Sequence, residues 1–317
     1  MKNSLLKFSF VILIVASTFL IPSCDSANGN SNKVIVDVSK DIIKSTSDDF
    51  QKYWYQGKAE LNRYELTQAR YGELRHGDAV AIFVTEDFLV DKKIKLESNP
   101  AGRENTSVLK LNLQKTFITG IYPYSLMSSV FMPVDRVKYP DVLKTVSSGQ
   151  EWCGQIYTQM NLTKNGYHLN EHSYFEKEGD REIDLSKAIV EEALFTLIRI
   201  SPQELPIGKI NIIPSSLSRR LRHVEPKVHE ANAILEKTSE GMKYSINYTT
   251  DSRSLTIDFL PSFPYTITGW SETYIDGFGS SAKELTTTAR LTHTFMDNYW
   301  SHHSLADTVL RSKLGFK

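Results

Sequence analysis

Apolar and polar side chains alternate with a period of two through most of the chain beyond residue 58, and that period predicts strands. Leu109, Leu111 and Leu113 alternate with Lys110, Asn112 and Gln114, the pattern of a strand with one wet face. Ala79-Val80-Ala81-Ile82-Phe83-Val84 is uninterrupted, which predicts a central strand covered on both sides, with Ile82 and Phe83 buried on opposite faces. Ala59 and Leu61 give way to Tyr64, Leu66 and Gln68 in a shifted phase, which predicts a bulge in a strand that reaches Arg70 and Tyr71. His76-Gly77-Asp78 reads as a turn, and Pro123 within 117–134 implies an edge or a bulge. Asn165-Gly166 between two alternating runs predicts a tight hairpin. A second meander is expected through 228–235, 244–248, 255–259 and 265–269, and 285–295 alternates weakly.

The helical period occurs in fewer places. Leu185, Ala188, Ile189, Ala193, Thr196, Leu197 and Ile200 recur at three and four, which predicts a helix over 185–199 capped by Asp184 or Ser186 and stopped by Ser201-Pro202. A short helix is expected after Ser47-Asp48-Asp49, ended by Gly57. A last one is expected with Ser304 as cap, Ala306, Val309, Leu310 and Leu314 inward, and Gly315 as terminator. The expected fold is mainly β, a β-rich α+β protein. It has a large antiparallel curved sheet or partly open barrel with one packed mid-chain helix and a C-terminal helix, in a single domain over 34–317.

The first residues change the picture from fold to address. Lys2 and Lys7, an apolar run from Phe8 to Ile21, and then Ile21-Pro22-Ser23-Cys24 form the pattern of a lipoprotein signal. Fourteen residues of helix rise only about 21 Å, short of a hydrocarbon core of about 30 Å. Residues 1–23 are therefore expected to be cleaved, with Cys24 carrying acyl chains such as palmitate and 24–33 serving as a small, polar, flexible tether. The expected location is the cell envelope, lipid-anchored and facing the periplasm from the outer membrane. The expected partners are the membrane through that anchor and a lipid, glycan or envelope protein.

Charge narrows the partners further. Thirty-seven basic residues balance thirty-seven acidic ones, and removal of Lys2 and Lys7 tips the balance slightly acidic, so nothing steers the chain to nucleic acid. The densest basic cluster, Arg219, Arg220, Arg222 and His223, reads as a solvated edge. With Cys24 acylated, Cys153 has no intramolecular partner, and the neighbouring Trp152 suggests that it is buried as a small hydrophobe.

Candidate chemistry is sparse. His168-Leu169-Asn170-Glu171-His172 matches H-x-x-E-H, the pattern by which a helix sets two His ligands and a general base around zinc. It directly follows the Asn-Gly turn, and on a strand Glu171 would point away from His168 and His172, so a polar hairpin face is the favoured reading. Asp297, His302, His303 and Asp307 read as solvated, and Gly277-Phe278-Gly279-Ser280-Ser281 as a loop. Glu60, Arg63, Glu65, Arg70, Glu73 and Arg75 alternate in sign, the mark of cross-strand pairing or of an anion pocket. Tyr53-Trp54-Tyr55 and Tyr122-Pro123-Tyr124 fit core packing, or a curved face that holds acyl chains or glycans, with Tyr122, Tyr124 and Arg70 as the ligand-binding candidates.

Trp54-Tyr55-Gln56-Gly57-Lys58-Ala59-Glu60-Leu61, Gln68-Ala69-Arg70-Tyr71-Gly72, Gly120-Ile121-Tyr122-Pro123-Tyr124-Ser125 and Glu151-Trp152-Cys153-Gly154 carry a resemblance over nearly the whole mature chain. In these segments the chain resembles a family of uncharacterised bacterial envelope lipoproteins. Some members are labelled "septum formation inhibitor Maf", yet the chain lacks the N-terminal Ser-Pro-Arg-Arg motif of true Maf nucleotide pyrophosphatases. The resemblance implies an address and a fold type and assigns no catalytic residue. The expected function is a non-catalytic binding or structural role in the envelope, with no cofactor beyond the covalent lipid at Cys24. The alternative is a metal-assisted hydrolase using His168, Glu171 and His172.

Overall fold

A helix α1 (Ser47–Trp54) leads into β1 (Ala59–Arg70), β2 (Glu73–Leu89), the two-residue β3 (Ile94–Lys95), β4 (Asn105–Thr119), β5 (Tyr122–Pro133), β6 (Lys144–Glu151), β7 (Gly154–Leu162), β8 (Gly166–Ser173) and β9 (Arg181–Ser186). Lys187 and Ala188 then carry the chain to β10 (Ile189–Val190), α2 (Glu191–Ile200), β11 (Gly208–Ile213) and α3 (Ser216–Arg222). The second meander follows: β12 (His229–Lys237), β13 (Met242–Tyr248), β14 (Ser254–Phe259), β15 (Ile267–Asp276) and β16 (Lys283–Asp297). A 3-10 helix, Leu305–Leu314, comes last. This computed structural model describes residues 47–99 and 101–316. The expectations for the signal segment, Cys24 and the tether lie outside the described residues.

Among the described residues the strands form one curved, unclosed sheet in the order β10-β11-β12-β13-β14-β15-β16-β1-β2-β4-β5-β6-β7-β8-β9, with β3 on β2. Every pairing is antiparallel except β10 on β11. The curl follows from what α2 touches. Its Glu191 accepts a hydrogen bond from Tyr248 on β13 while its body packs against β4 and β5. Seven strand spacings separate β13 from β5, about 34 Å in a flat sheet, and a helix is only about 10–12 Å across. The sheet must therefore wrap around α2. Its two edge strands, β9 and β10, are joined by Lys187 and Ala188 alone, so the edges meet there within three Cα steps, about 11 Å.

Several sequence expectations change. Residues 181–190 pair as strands with β8 and β11, so the helix starts at Glu191, six residues late. β1 keeps its phase. Glu60, Tyr64, Leu66, Gln68 and Arg70 all face inward, and Ala59 and Leu61 are buried on the other side against Ile82, Val84, Phe295 and Leu314. The irregularity sits across from it, where the partner of Arg63 is His293 and that of Tyr64 is Leu291. Gly77 lies inside β2 rather than at a turn, because a Cβ there would come within 2.1 Å of the Thr116 carbonyl oxygen. Pro123 sits near the β4–β5 hairpin tip, beyond the point where β6 pairing begins at Ser125.

Other expectations hold. Leu162 pairs with Tyr167 across the Asn165-Gly166 turn, and a Cβ on Gly166 would clash with the Leu185 carbonyl at 2.0 Å. Phe83 enters the main core, and Ile82 does face the opposite way, but it is half-buried rather than buried, in the cluster that Leu314 covers. The C-terminal segment has the expected capping box between Ser304 and Asp307 and a left-handed Gly315. It is a 3-10 helix, however, with Ala306 exposed and Val309 73% exposed, and of the residues expected inward Leu310 and Leu314 alone are half-buried.

Candidate functional site

α2 reads Glu-Glu-Ala-Leu-Phe-Thr-Leu-Ile-Arg-Ile, a helix without a polar face, and all ten residues are buried. Of its three ionisable side chains, Arg199 and Glu191 find opposite charges inside the sheet. Arg199 forks onto Glu60 of β1 with two contacts of 2.6 Å, both residues 0% exposed. Asn62 donates to Glu60 at 2.7 Å, and the Tyr53 hydroxyl donates to the same carboxylate. Burial opposes ionisation of Glu60, but the Arg199 charge and these hydrogen bonds outweigh it and hold the carboxyl below its usual range.

At the other end of α2, Arg253 forks onto Glu191 at 2.5 and 2.6 Å and donates through Nε to Glu272 of β15 at 2.7 Å. The Ser218 hydroxyl of α3 donates to Glu272 at 2.5 Å. Burial works against the Glu272 charge, yet Arg253, Lys115 and these hydrogen bonds bring its carboxyl down to about 2. Burial instead pushes the Glu192 carboxyl up, and the Ser216 amide, donating at 2.6 Å, offsets only part of that. Glu191 thus stands at the N-terminus of α2 and Arg199 at its C-terminus, each matched to the helix dipole and each tied to a different part of the sheet.

One side of α2, with Ala193, Leu194 and Leu197, faces the seam where the sheet edges meet. Together with Met132, Val142, Tyr167, Ala188 and Ile189 it lines a groove of about 360 Å³, within the usual range for small-molecule sites. Two ion pairs stand at its rim, Lys187 with Asp141 at 2.6 Å and Arg136 with Glu204 at 3.2 Å. The floor is apolar and the rim is charged, which suits a molecule with an apolar body and a polar end.

The residues singled out from sequence have definite places. Tyr122, Tyr124 and Arg70 do converge. Arg70 donates to the Leu221 carbonyl of α3 at 2.6 Å, to Tyr124 at 3.1 Å and to Tyr71 at 3.2 Å, and its guanidinium stacks over the Tyr71 ring at 4.1 Å. Tyr122 donates to Tyr71 at 3.3 Å. These donors are used within the fold, where they fasten the end of α3 to the sheet.

His168-Leu169-Asn170-Glu171-His172 lies on β8. His168 meets Asp184 at 2.8 Å and His172 meets Asp180 at 3.4 Å, while Glu171 takes Arg181 and Arg219, both at 2.8 Å. Among the described residues no three metal-ligating side chains converge. Arg219 and Arg220 are buried in ion pairs with Glu171 and Glu178, which corrects the reading of that cluster as a solvated edge. Cys153 and Trp152 sit at the β6–β7 tip, the thiol exposed and Trp152 70% exposed, so the expected burial is overturned. Arg63 with Asp78, Glu65 with Arg290 and Arg75 with Glu73 form surface pairs, and Glu60 turns inward instead.

Arg199, Glu191, Arg253, Glu272 and Lys115 escaped sequence reasoning. Two signals were present. A helix without a polar face implies that its charges pair internally, and Lys115 continues the inward register of Leu109, Leu111 and Leu113. Arg253, in a turn before β14, carried none. No protein-family model, curated protein or solved structure matches the chain.

Proposed function

We propose that this chain is a non-catalytic binding protein that holds the apolar part of an amphipathic molecule, such as an acyl chain, in the seam groove, at an envelope membrane to which Cys24 tethers it. The observation that carries the reading is the groove itself: about 360 Å³ of space over an apolar floor, rimmed by Lys187–Asp141 and Arg136–Glu204, where the two sheet edges meet beside α2. Behind α2 the packed side chains leave a space of only about 40 Å³, so an acyl chain fits at the seam and not along the centre of the curl. The apolar floor favours an acyl chain over a glycan.

The test is titration of the full chain with the neutral apolar fluorophore N-phenylnaphthylamine, followed by displacement with a lysophospholipid. Ala188 is half-buried in the crossover that borders the groove, so Ala188→Trp should fill the space and weaken binding about tenfold or more while thermal unfolding stays unchanged. Equal binding by the wild type and Ala188→Trp would remove the groove as the site.

A further inference from the structure

The opposite side of α2, with Glu191, Glu192 and Phe195, faces a second space, a small cavity of about 40 Å³. That is room for about three water molecules or a molecule of similar size. Its walls include Leu111, Leu113, Val130, Leu255 and Trp270. Two polar groups of the same wall lack hydrogen-bond partners, and a buried ammonium stands in the same wall. Lys115 is 7% exposed, its ammonium stands 5.7 Å from the Trp270 ring, and it makes no hydrogen bond among the described residues. Ser128 Oγ and Glu192 Oε2 are buried without a hydrogen-bond partner. A buried polar group left unmatched costs its full desolvation, so two of them beside a buried ammonium around one cavity point to something that occupies it.

The donor set specifies the occupant. An ammonium can only donate, a serine hydroxyl can donate, and Glu192, whose carboxyl burial pushes up, can donate when protonated. Three donors call for a group with several acceptor lone pairs, which a carboxylate has. Glu191 and Glu272 already share Arg253, and their two charges weigh against a dianion such as phosphate. The volume admits a short chain only. We propose that this cavity binds a small monocarboxylate, its oxygens held by Lys115 Nζ, Ser128 Oγ and Glu192 Oε2 and its tail against Leu111, Leu113 and Val130. This site is independent of the seam groove, because α2 separates the two.

Propionate is the probe, titrated calorimetrically into the full-length protein against sodium chloride of equal ionic strength. Saturable binding to the wild type is expected. Lys115→Met keeps the apolar stem and removes the charge, and it should weaken binding at least about tenfold. Ser128→Ala should weaken it by a smaller factor, and Glu192→Gln, which keeps an N–H donor, should retain it. Thermal unfolding of each variant establishes that it folds, and should Lys115→Met fail to fold, Ser128→Ala against Glu192→Gln decides. Propionate behaving like chloride, or binding equally well to Lys115→Met and Ser128→Ala, overturns the site and leaves a water pocket. Ala188→Trp should leave propionate binding untouched, so failure of the groove and failure of this cavity are read separately.

Discussion

Arg199 and Glu60 are both fully withdrawn from water, and each is tolerable there only because the other is present. A guanidinium forked onto a carboxylate roughly offsets the desolvation of both, whereas a lone buried charge has nothing to offset it. Arg199→Met should therefore cost about 3–5 kcal/mol in urea unfolding. The double variant Arg199→Met/Glu60→Leu should recover part of that loss, and strict additivity of the two changes would show that they are not coupled. The same carboxylates set the acid response. Glu60 is held below its usual range and Glu272 at about 2, so the folded state holds fewer protons than the unfolded chain, whose glutamates titrate near 4.5. Their contribution to stability is complete above about pH 4.5 and is lost as pH falls towards 2. Urea midpoints measured across that window should drop steeply in the wild type and less steeply in Glu272→Gln.

Elements here carry two faces with different fates. On β2, Phe83 is fully buried against Trp54 and the Arg199 guanidinium, while Ile82 packs on the other face in a small cluster under Leu314. Phe83→Ala should cost about 3–5 kcal/mol through lost transfer energy and an unfilled cavity. Ile82→Ala should cost less, because its half-buried site lies at an outer margin that the C-terminal segment covers only in part. Comparable losses in denaturant unfolding would mean that the outer cluster is as tightly packed as the interior. α2 shows the two faces at helical spacing: Ala193, Leu194 and Leu197 towards the seam, Glu191, Glu192 and Phe195 towards the inner cavity. The two polar ties at its ends fix which side is which.

At the scale of the molecule, the chain leaves one edge of the sheet at Ser186 and enters the other at Ile189, which brings the seam, the groove and the start of α2 together within a few residues. The proposed tether has its own test. Cys24→Ser should release the protein from the membrane fraction, and persistence there would defeat the lipid anchor. Thiol counting gives an independent measure. The chain has two cysteines and Cys153 is exposed, so the intact, denatured protein should titrate one thiol when Cys24 is acylated and two when it is free. In the folded state Cys153 should react slowly below pH 9, because the neighbouring Glu151 raises its pKa by hydrogen bond and charge.

Periodicity was enough to determine the β-rich class, the two meanders, the Asn165-Gly166 hairpin and the opposite facing of Ile82 and Phe83, because those depend on neighbours two residues apart along one strand, but it placed Ile82 deeper than the half-buried position it holds. It placed the start of α2 too early. Leu185, Ala188 and Ile189 satisfy a helical spacing and a strand equally, and the choice between them was made by β8 and β11, whose edges needed partners. The same limit explains the arginines near 219, which look solvated until Glu171 and Glu178 arrive from a distant hairpin. The charge pairs of Arg199 with Glu60 and of Arg253 with Glu191 join residues 139 and 62 positions apart, and no local pattern records which distant side chain a folded sheet will bring opposite a buried charge.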